Sequence, residues 1–307
     1  MRFQRLGIFA LALAIPAFSS SYTSVVVYGD SLSDNGNLFA AIGQPPAPWF
    51  DGRFSNGIVA VEYLATILNA PLVDFAVGGA TTGIGNHLDN GTPTSLDVLP
   101  GMSTSYAATQ ASLGPALGGL FVVWGGSNDF LSPDPADSFP FGVADRAVDN
   151  LISIASGLKS QGARTILVPG LPDLGLTPFY LAAGPVASAG ATAVSDYFNN
   201  RLVSHLPDGV VYFDTATLLR TVTANPSAYG FTNVTDSCLT QAACAADPSK
   251  FLFWDDFHPT TAGHAILGQA FAQAVPEPST IVLLPAILAI GFFARRRLGV
   301  TERSSLS

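Results

Sequence analysis

Val25-Val26-Val27-Tyr28-Gly29-Asp30-Ser31-Leu32-Ser33-Asp34 is the stretch whose reading decides the fold. Three β-branched residues and a tyrosine read as a buried strand. The strand stops at Gly29, and Ser31 stands where the chain must turn away. In open α/β sheets ligands sit just beyond the carboxyl ends of strands, so Ser31 falls where a nucleophile would be wanted. Serines at such places also cap or turn the chain, so this one gains meaning only from what can reach it. Asp255-Asp256-Phe257-His258, far along the chain, could supply a base and its orienter.

Outward from that strand, strand-like and helix-like runs alternate. Apolar segments lie at Ser24–Tyr28, Leu72–Ala76, Gly119–Trp124, Thr165–Val168 and Val210–Phe213. Helical patterns run over Gly57–Asn69, Val143–Leu158, Ala187–Leu206 and Thr261–Ala274. Near-continuous apolar strands alternating with amphipathic helices predict an α/β domain whose parallel sheet is covered on both faces. Thr81–Leu117 is rich in Gly, Pro, Ser and Thr and reads as a long excursion over the sheet, with turns at Asn90-Gly91 and Pro100-Gly101.

Both ends carry the marks of processing segments. Arg2 and Arg5 precede an apolar run from Leu6 to Phe18, and Ser19-Ser20-Ser21 follows. This order predicts a secretory signal peptide over residues 1–21. A short membrane anchor is the alternative, but the run is too short to span comfortably. At the other end, Val275-Pro276-Glu277-Pro278-Ser279-Thr280 leads into the apolar segment 281–294 and then Arg295-Arg296-Arg297. That segment is marginal for a transmembrane helix, which needs about 20 apolar residues, and the arginines would hold its end on the cytoplasmic side. The order Pro-Glu-Pro, apolar run and Arg cluster resembles the PEP-CTERM sorting signal of Gram-negative bacteria. The resemblance implies an exported protein whose tail, residues 275–307, is removed by a membrane sorting peptidase after signal peptidase has acted at the other end. The site then works in the periplasm, at the cell surface or in the medium, with at most a transient membrane anchor.

What remains, residues 22–274, is long enough for one domain with its own core. The whole chain of 307 residues carries a formal charge of −9. Loss of the two ends removes Arg2, Arg5, Arg295, Arg296, Arg297 and Arg303 against only Glu277 and Glu302, so the domain is more acidic still. An acidic surface without a Lys/Arg stripe argues against a nucleic-acid partner, whose phosphates demand basic contacts. Cys238 and Cys244, the two cysteines of the chain, predict a small disulfide loop in an oxidising compartment. A metal pair has less support, since no further cysteine exists and no histidine lies within zinc-motif spacing upstream.

Ser31, His258 and Asp255 form the candidate charge-transfer set. Serine is a weak nucleophile until a neighbouring base takes its proton, and histidine titrates near neutrality. A carboxylate on the far ring nitrogen fixes the tautomer and stabilises the imidazolium. Asp255, three residues before His258, can fold back to do so, and Pro259 and Thr260 are expected to begin the following helix. Taken locally, an acidic helix entrance beside a surface histidine is as good a reading.

Two further strand ends break the tie. Gly78-Gly79 follows Leu72–Val77, and a bare backbone amide there could approach a substrate closely. Gly126-Ser127-Asn128-Asp129 follows the strand ending at Trp124, and Asn128 can present a side-chain N–H. Oxyanions need such convergent donors. Asp30 is expected to shape the turn around Ser31, while Asp256 is a bystander by spacing. His264 is expected in a packing or surface role, and His87 and His205 show no partner. Trp49, Phe50 and Phe54 could line the site or form a structural cluster. No Gly-x-Ser-x-Gly elbow occurs, so an α/β-hydrolase mechanism has no support.

Gly29–Asp34 resembles the first block of the GDSL, or SGNH, esterase/lipase family. Gly79 within Ala76–Thr81, Gly126–Asp129 and Asp255–His258 match its later blocks in order, and Gly52-Arg53-Phe54-Ser55-Asn56-Gly57 looks like the segment before the first helix in its long-chain branch. The resemblance implies a three-layer α/β/α flavodoxin-like fold around a mostly parallel five-stranded sheet. It implies a serine esterase or lipase with Ser31 as nucleophile, His258 as base and Asp255 as orienter. The oxyanion hole would comprise the Ser31 amide, Gly79 (rather than Gly78) and Asn128. The partner is then a small-molecule or lipid ester, and no cofactor or metal is expected. An acyltransferase using the same residues, a non-catalytic surface protein on this fold, and a metal-dependent phosphoesterase built on Asp30, Asp34, Asp255 and His258 are the rivals.

Overall fold

The computed structural model describes residues 22–89 and 99–276. Its main sheet has five parallel strands: β1 (Val25–Gly29), β2 (Leu72–Asp74), β3 (Leu120–Trp124), β4 (Thr165–Pro169) and β5 (Val211–Phe213). Their order is β2-β1-β3-β4-β5, with Val25 in register with Leu72 on one side and Leu120 on the other. Eight helices accompany them among the described residues: α1 (Asn37–Ile42), α2 (Ala60–Ile67), α3 (Met102–Thr109), α4 (Phe141–Ser160), α5 (Pro178–Ala182), α6 (Pro185–His205), α7 (Thr215–Ala224) and α8 (Thr261–Ala274). This is the α/β arrangement, a parallel sheet with helices on both faces, that the alternating pattern predicts, in the flavodoxin-like three-layer form that the family resemblance implies.

Side-chain alternation along the strands explains the layers. Val25, Val27, Leu120, Val122 and Trp124 pack with residues of α2 and α8 on one face. Val26, Tyr28, Phe121 and Val123 meet α4 and α6 on the other. All residues of β1, β3 and β4 are buried, which is why these strands read as unbroken apolar runs. The helices α2 and α8 approach closely because Gly268 has no side chain: a Cβ there would lie 2.7 Å from the Ala60 carbonyl oxygen. Since β1 sits between β2 and β3, the strand order reverses at β1, and the crevice at its carboxyl end is where an open sheet binds ligands.

Several elements depart from the sequence expectations. Thr81–Leu117 is more than a surface excursion, because it contains α3 and buries Leu99 and Met102 against the core. Helix α7 and a second small parallel sheet, β6 (Asn233–Ser237) with β7 (Phe251–Phe253), add to the elements that the sequence pattern predicts. The polar sequence of β6 carries no strand signal, and its pairing is made by a segment well along the chain. Pro259 does not begin α8. It lies in a bridge to Phe253, and Thr260 caps the helix with its hydroxyl.

Cys238 and Cys244 form a disulfide with Cα atoms 5.1 Å apart. Its loop packs with Phe251, Trp254 and Trp49. Among the described residues no helix is long and apolar enough to cross a membrane. The predicted signal peptide, the Asn90-Gly91 turn, the 281–294 segment and the arginines after it lie outside the described residues.

Candidate active site

Ser31 sits in the tight turn after β1. The Asp30 carbonyl accepts from the amides of Ser33 and Asp34, both at 3.0 Å, and Asp30 Oδ1 accepts from Leu32 N at 3.0 Å. Asp30 thus shapes the turn, as its type suggests. Asp34 does more than the sequence implies. Its Oδ1 accepts from the amides of Gly36 and Asn37, and its Oδ2 from those of Leu38 and Gly78. One buried carboxylate therefore starts α1 and ties the serine turn to the glycine turn after β2.

His258 reaches Ser31 from the loop between β7 and α8. Its Nε2 lies 2.8 Å from Ser31 Oγ, and its Nδ1 lies 2.9 Å from both Asp255 oxygens. A carboxylate can only accept, so Nδ1 carries the proton and Nε2 presents a lone pair to the serine hydroxyl. Asp255 Oδ1 also accepts from the amides of Phe257 and His258, and Oδ2 accepts from the Trp49 indole at 3.1 Å. The Phe54 ring packs beside His258 with centroids 5.0 Å apart. The loop is anchored from the other side: Ser55 Oγ donates to the Pro259 carbonyl and Asn56 Oδ1 accepts from Thr261 N.

Burial opposes ionisation of Asp255, but the charge and ring N–H of His258 and two backbone amides outweigh it and hold the carboxyl at about 2. Burial also pulls His258 down, yet the Asp255 charge, its hydrogen bond and the Asp30 charge leave the imidazole raised above its ordinary value. Asp30 itself is pushed up to about 6, chiefly by burial. A raised imidazole beside a low carboxyl is the arrangement a general base requires.

Gly79 and Asn128 line the same cavity as Ser31 and His258. Gly79 has φ +78°, and a Cβ there would lie 2.5 Å from Asn86 Oδ1, so only glycine fits. The Gly78 amide is committed to Asp34, whereas among the described residues those of Gly79 and Ser31 donate to no protein acceptor. This difference supports Gly79 over its neighbour. Asn128 donates one side-chain N–H to the Ala80 carbonyl at 3.0 Å and carries a second. Its neighbour Asp129, fully buried, accepts from the Thr82 amide and hydroxyl and pairs with Arg146 at 3.2 Å. Asp129 thereby locks the Asn128 turn to the Gly79 turn.

The phosphoesterase set does not form a metal cradle. Asp34 is spent on backbone amides and Asp255 on His258 and Trp49. Among the described residues no group of three or more His, Cys, Asp or Glu side chains is placed to hold an ion. His264 is fully buried, with Nδ1 accepting from Ala60 N at 3.2 Å at the start of α2. His87 lies on the cavity wall, bonded through Nδ1 to Ser132, and His205 ends α6, exposed and bonded to the Arg201 carbonyl. That Trp49 bonds Asp255 and that Asp129 bonds Thr82 was not readable from the sequence, because 206 and 47 positions separate the partners.

Residues 25–271 match the family described as GDSL-like Lipase/Acylhydrolase, and residues 274–297 match the PEP-CTERM protein-sorting motif. The chain is 30% identical to the thermolabile hemolysin of Vibrio parahaemolyticus serotype O3:K6 (strain RIMD 2210633), over 81% of its own length and 63% of that protein's. The chain thus spans less than two thirds of that relative. It is 26% identical to the phosphatidylcholine-sterol acyltransferase of Aeromonas hydrophila, covering 91% of this chain and 86% of that one. Among solved structures, an acetyl xylan esterase, AlAXEase, aligns with a TM-score of 0.47 at 12% identity, over 82% of this chain and all of the other. A match of the family over 25–271, with its blocks meeting around Ser31, shows that the chain belongs to the GDSL-like lipase/acylhydrolase family.

Proposed function

We propose that this protein is an exported carboxylic ester hydrolase that works through an acyl-enzyme on Ser31. The observation that carries the reading is the unbroken relay Ser31 Oγ to His258 Nε2 to Asp255, at 2.8 and 2.9 Å, opening on a cavity. His258 takes the hydroxyl proton as Ser31 Oγ attacks the ester carbonyl. The resulting imidazolium is stabilised by Asp255. Negative charge gathers on the former carbonyl oxygen, where the amides of Ser31 and Gly79 and the Asn128 side chain serve as donors. His258 then passes its proton to the leaving alkoxide, which departs as an alcohol. In the second half, His258 deprotonates a water that attacks the acyl-enzyme, and the carboxylic acid leaves with Ser31 restored. No step calls for a cofactor.

Ser31→Ala tests this directly. Turnover of a short 4-nitrophenyl ester should fall by about 10⁴-fold or more, with the melting temperature kept. Unchanged turnover would sink the serine mechanism, and failure of a fluorophosphonate to label Ser31 in the unaltered protein would favour a binding protein. Transfer to an alcohol in place of water is a second reading, supported by the acyltransferase relative. Adding an alcohol acceptor and measuring ester against free acid separates the two.

The sorting motif supports export and handling by a sorting peptidase. On this reading signal peptidase removes residues 1–21, and a membrane sorting peptidase removes the tail, residues 275–307. The mass of the protein recovered outside the cytoplasm checks both cuts.

A further inference from the structure

The cavity at Ser31 is larger than an acetyl group requires. Its volume is about 300 Å³, and it extends from the catalytic residues to a second wall made by Leu218 and Val222 of α7, Leu252 of β7 and Ile266 of α8. These four belong to one apolar cluster, distinct from the two clusters that cover the sheet. Three of the polar groups that line it are already paired within the protein. Trp124 Nε1 and Thr215 Oγ1 both donate to the Gly170 carbonyl, and Thr177 Oγ1 donates to the Leu174 carbonyl. A void of this kind offers water few partners and accepts apolar ligands instead. A sugar would have its hydroxyls stranded there.

We propose that this arm of the cavity is an acyl-chain site, so that the enzyme acts on esters of medium-length or long fatty acids rather than acetyl esters. The inference rests on the ester-hydrolase reading and adds the class of acid to it. With the carbonyl carbon at Ser31 and its oxygen toward Gly79 and Asn128, the chain runs past Trp124 to the α7–α8 wall. The leaving alcohol faces the opposite side, where Leu88, Leu131 and Phe257 form an exposed apolar rim.

The test is a series of 4-nitrophenyl esters from acetate to palmitate, with laurate binding to the Ser31→Ala protein measured by calorimetry. In the unaltered enzyme kcat/KM should rise by roughly two- to fourfold per methylene until the cavity is filled. Leu218→Trp, which fills the far wall, should cut that rise and weaken laurate binding at least about tenfold. Ile266→Ala, which enlarges the wall instead, should move the optimum to longer chains, and it serves if the tryptophan variant does not fold. A flat or falling series with acetate still turned over overturns the acyl-chain site and leaves the hydrolase reading intact. If no ester is hydrolysed, the hydrolase reading fails, and laurate binding decides the site alone: saturable binding weakened by Leu218→Trp upholds it, and absence of binding overturns it.

Discussion

The Trp49 indole donates a hydrogen bond to Asp255 Oδ2 at 3.1 Å, bridging 206 positions of sequence. It occupies the lone pair that the His258 ring and the backbone amides leave open. Trp49 does not line the cavity; it packs with the Cys238–Cys244 loop, Phe251 and Trp254. The carboxylate is therefore held from its outer side by an aromatic residue seated on a disulfide-closed loop.

Trp49→Phe keeps the ring and removes the donor. A hydrogen bond to a charged group contributes about 1.5–3 kcal/mol, so kcat should fall by about tenfold with KM unchanged. With one donor fewer, the carboxylate attracts the imidazolium more strongly, and the acid limb of kcat/KM should move to higher pH. Steady-state kinetics across pH measure both.

Asp255→Asn removes the charge that lifts His258. The base must be neutral to accept the serine proton, so activity in the unaltered enzyme rises with pH through a value above the ordinary 6.5 of histidine. In the variant burial acts unopposed by Asp255, and the limb should shift to lower pH. An amide can also donate to Nδ1 and select the wrong tautomer, so kcat should drop by about 10⁴-fold. A pH–rate profile of both proteins checks the sign.

Asn128→Ala should lower kcat by about 10²–10³-fold, the usual effect of losing one oxyanion donor. Gly79→Ala should do at least as much and also destabilise the fold, because its Cβ would collide with Asn86 Oδ1 at φ +78°. Thermal unfolding separates the two: only the glycine variant should lose melting temperature appreciably.

His264 is buried neutral and lowered to about 3, mainly by burial. Unfolded histidine binds a proton near 6.5, so between about pH 6.5 and 3 the unfolded chain takes up more protons than the folded one. Stability from this group is present above pH 6.5 and is lost as pH falls. His264→Asn keeps an acceptor for Ala60 N and removes the titration. Between pH 6 and 4 the variant should lose less stability than the unaltered protein, by up to about 1.4 kcal/mol per pH unit. Denaturant unfolding at several pH values reads the difference.

The sheet was legible because buried parallel strands are uniformly apolar and the helices between them keep their period. Ser31, Gly79, Asn128 and the Asp255/His258 pair were legible as residue types at strand ends and in one short loop. Helix α7, the β6–β7 sheet and the capping of α8 by Thr260 were not, since their signals are polar, short or made by distant partners.

The order of residues alone determined that a serine would follow the first strand and a histidine would precede α8, because strand and helix periods are local properties. Only the tertiary structure decided that Ser31 Oγ and His258 Nε2 lie 2.8 Å apart, that Asp34 and Asp129 spend their charge fastening turns, and that Trp49 closes the far side of Asp255. Those relations depend on how the β2-β1-β3 reversal brings three strand ends together, and on the loop before α8 folding back over them. A linear pattern carries no distance between residues so far apart, so the geometry that sets Ser31 against His258 exists only in the folded chain.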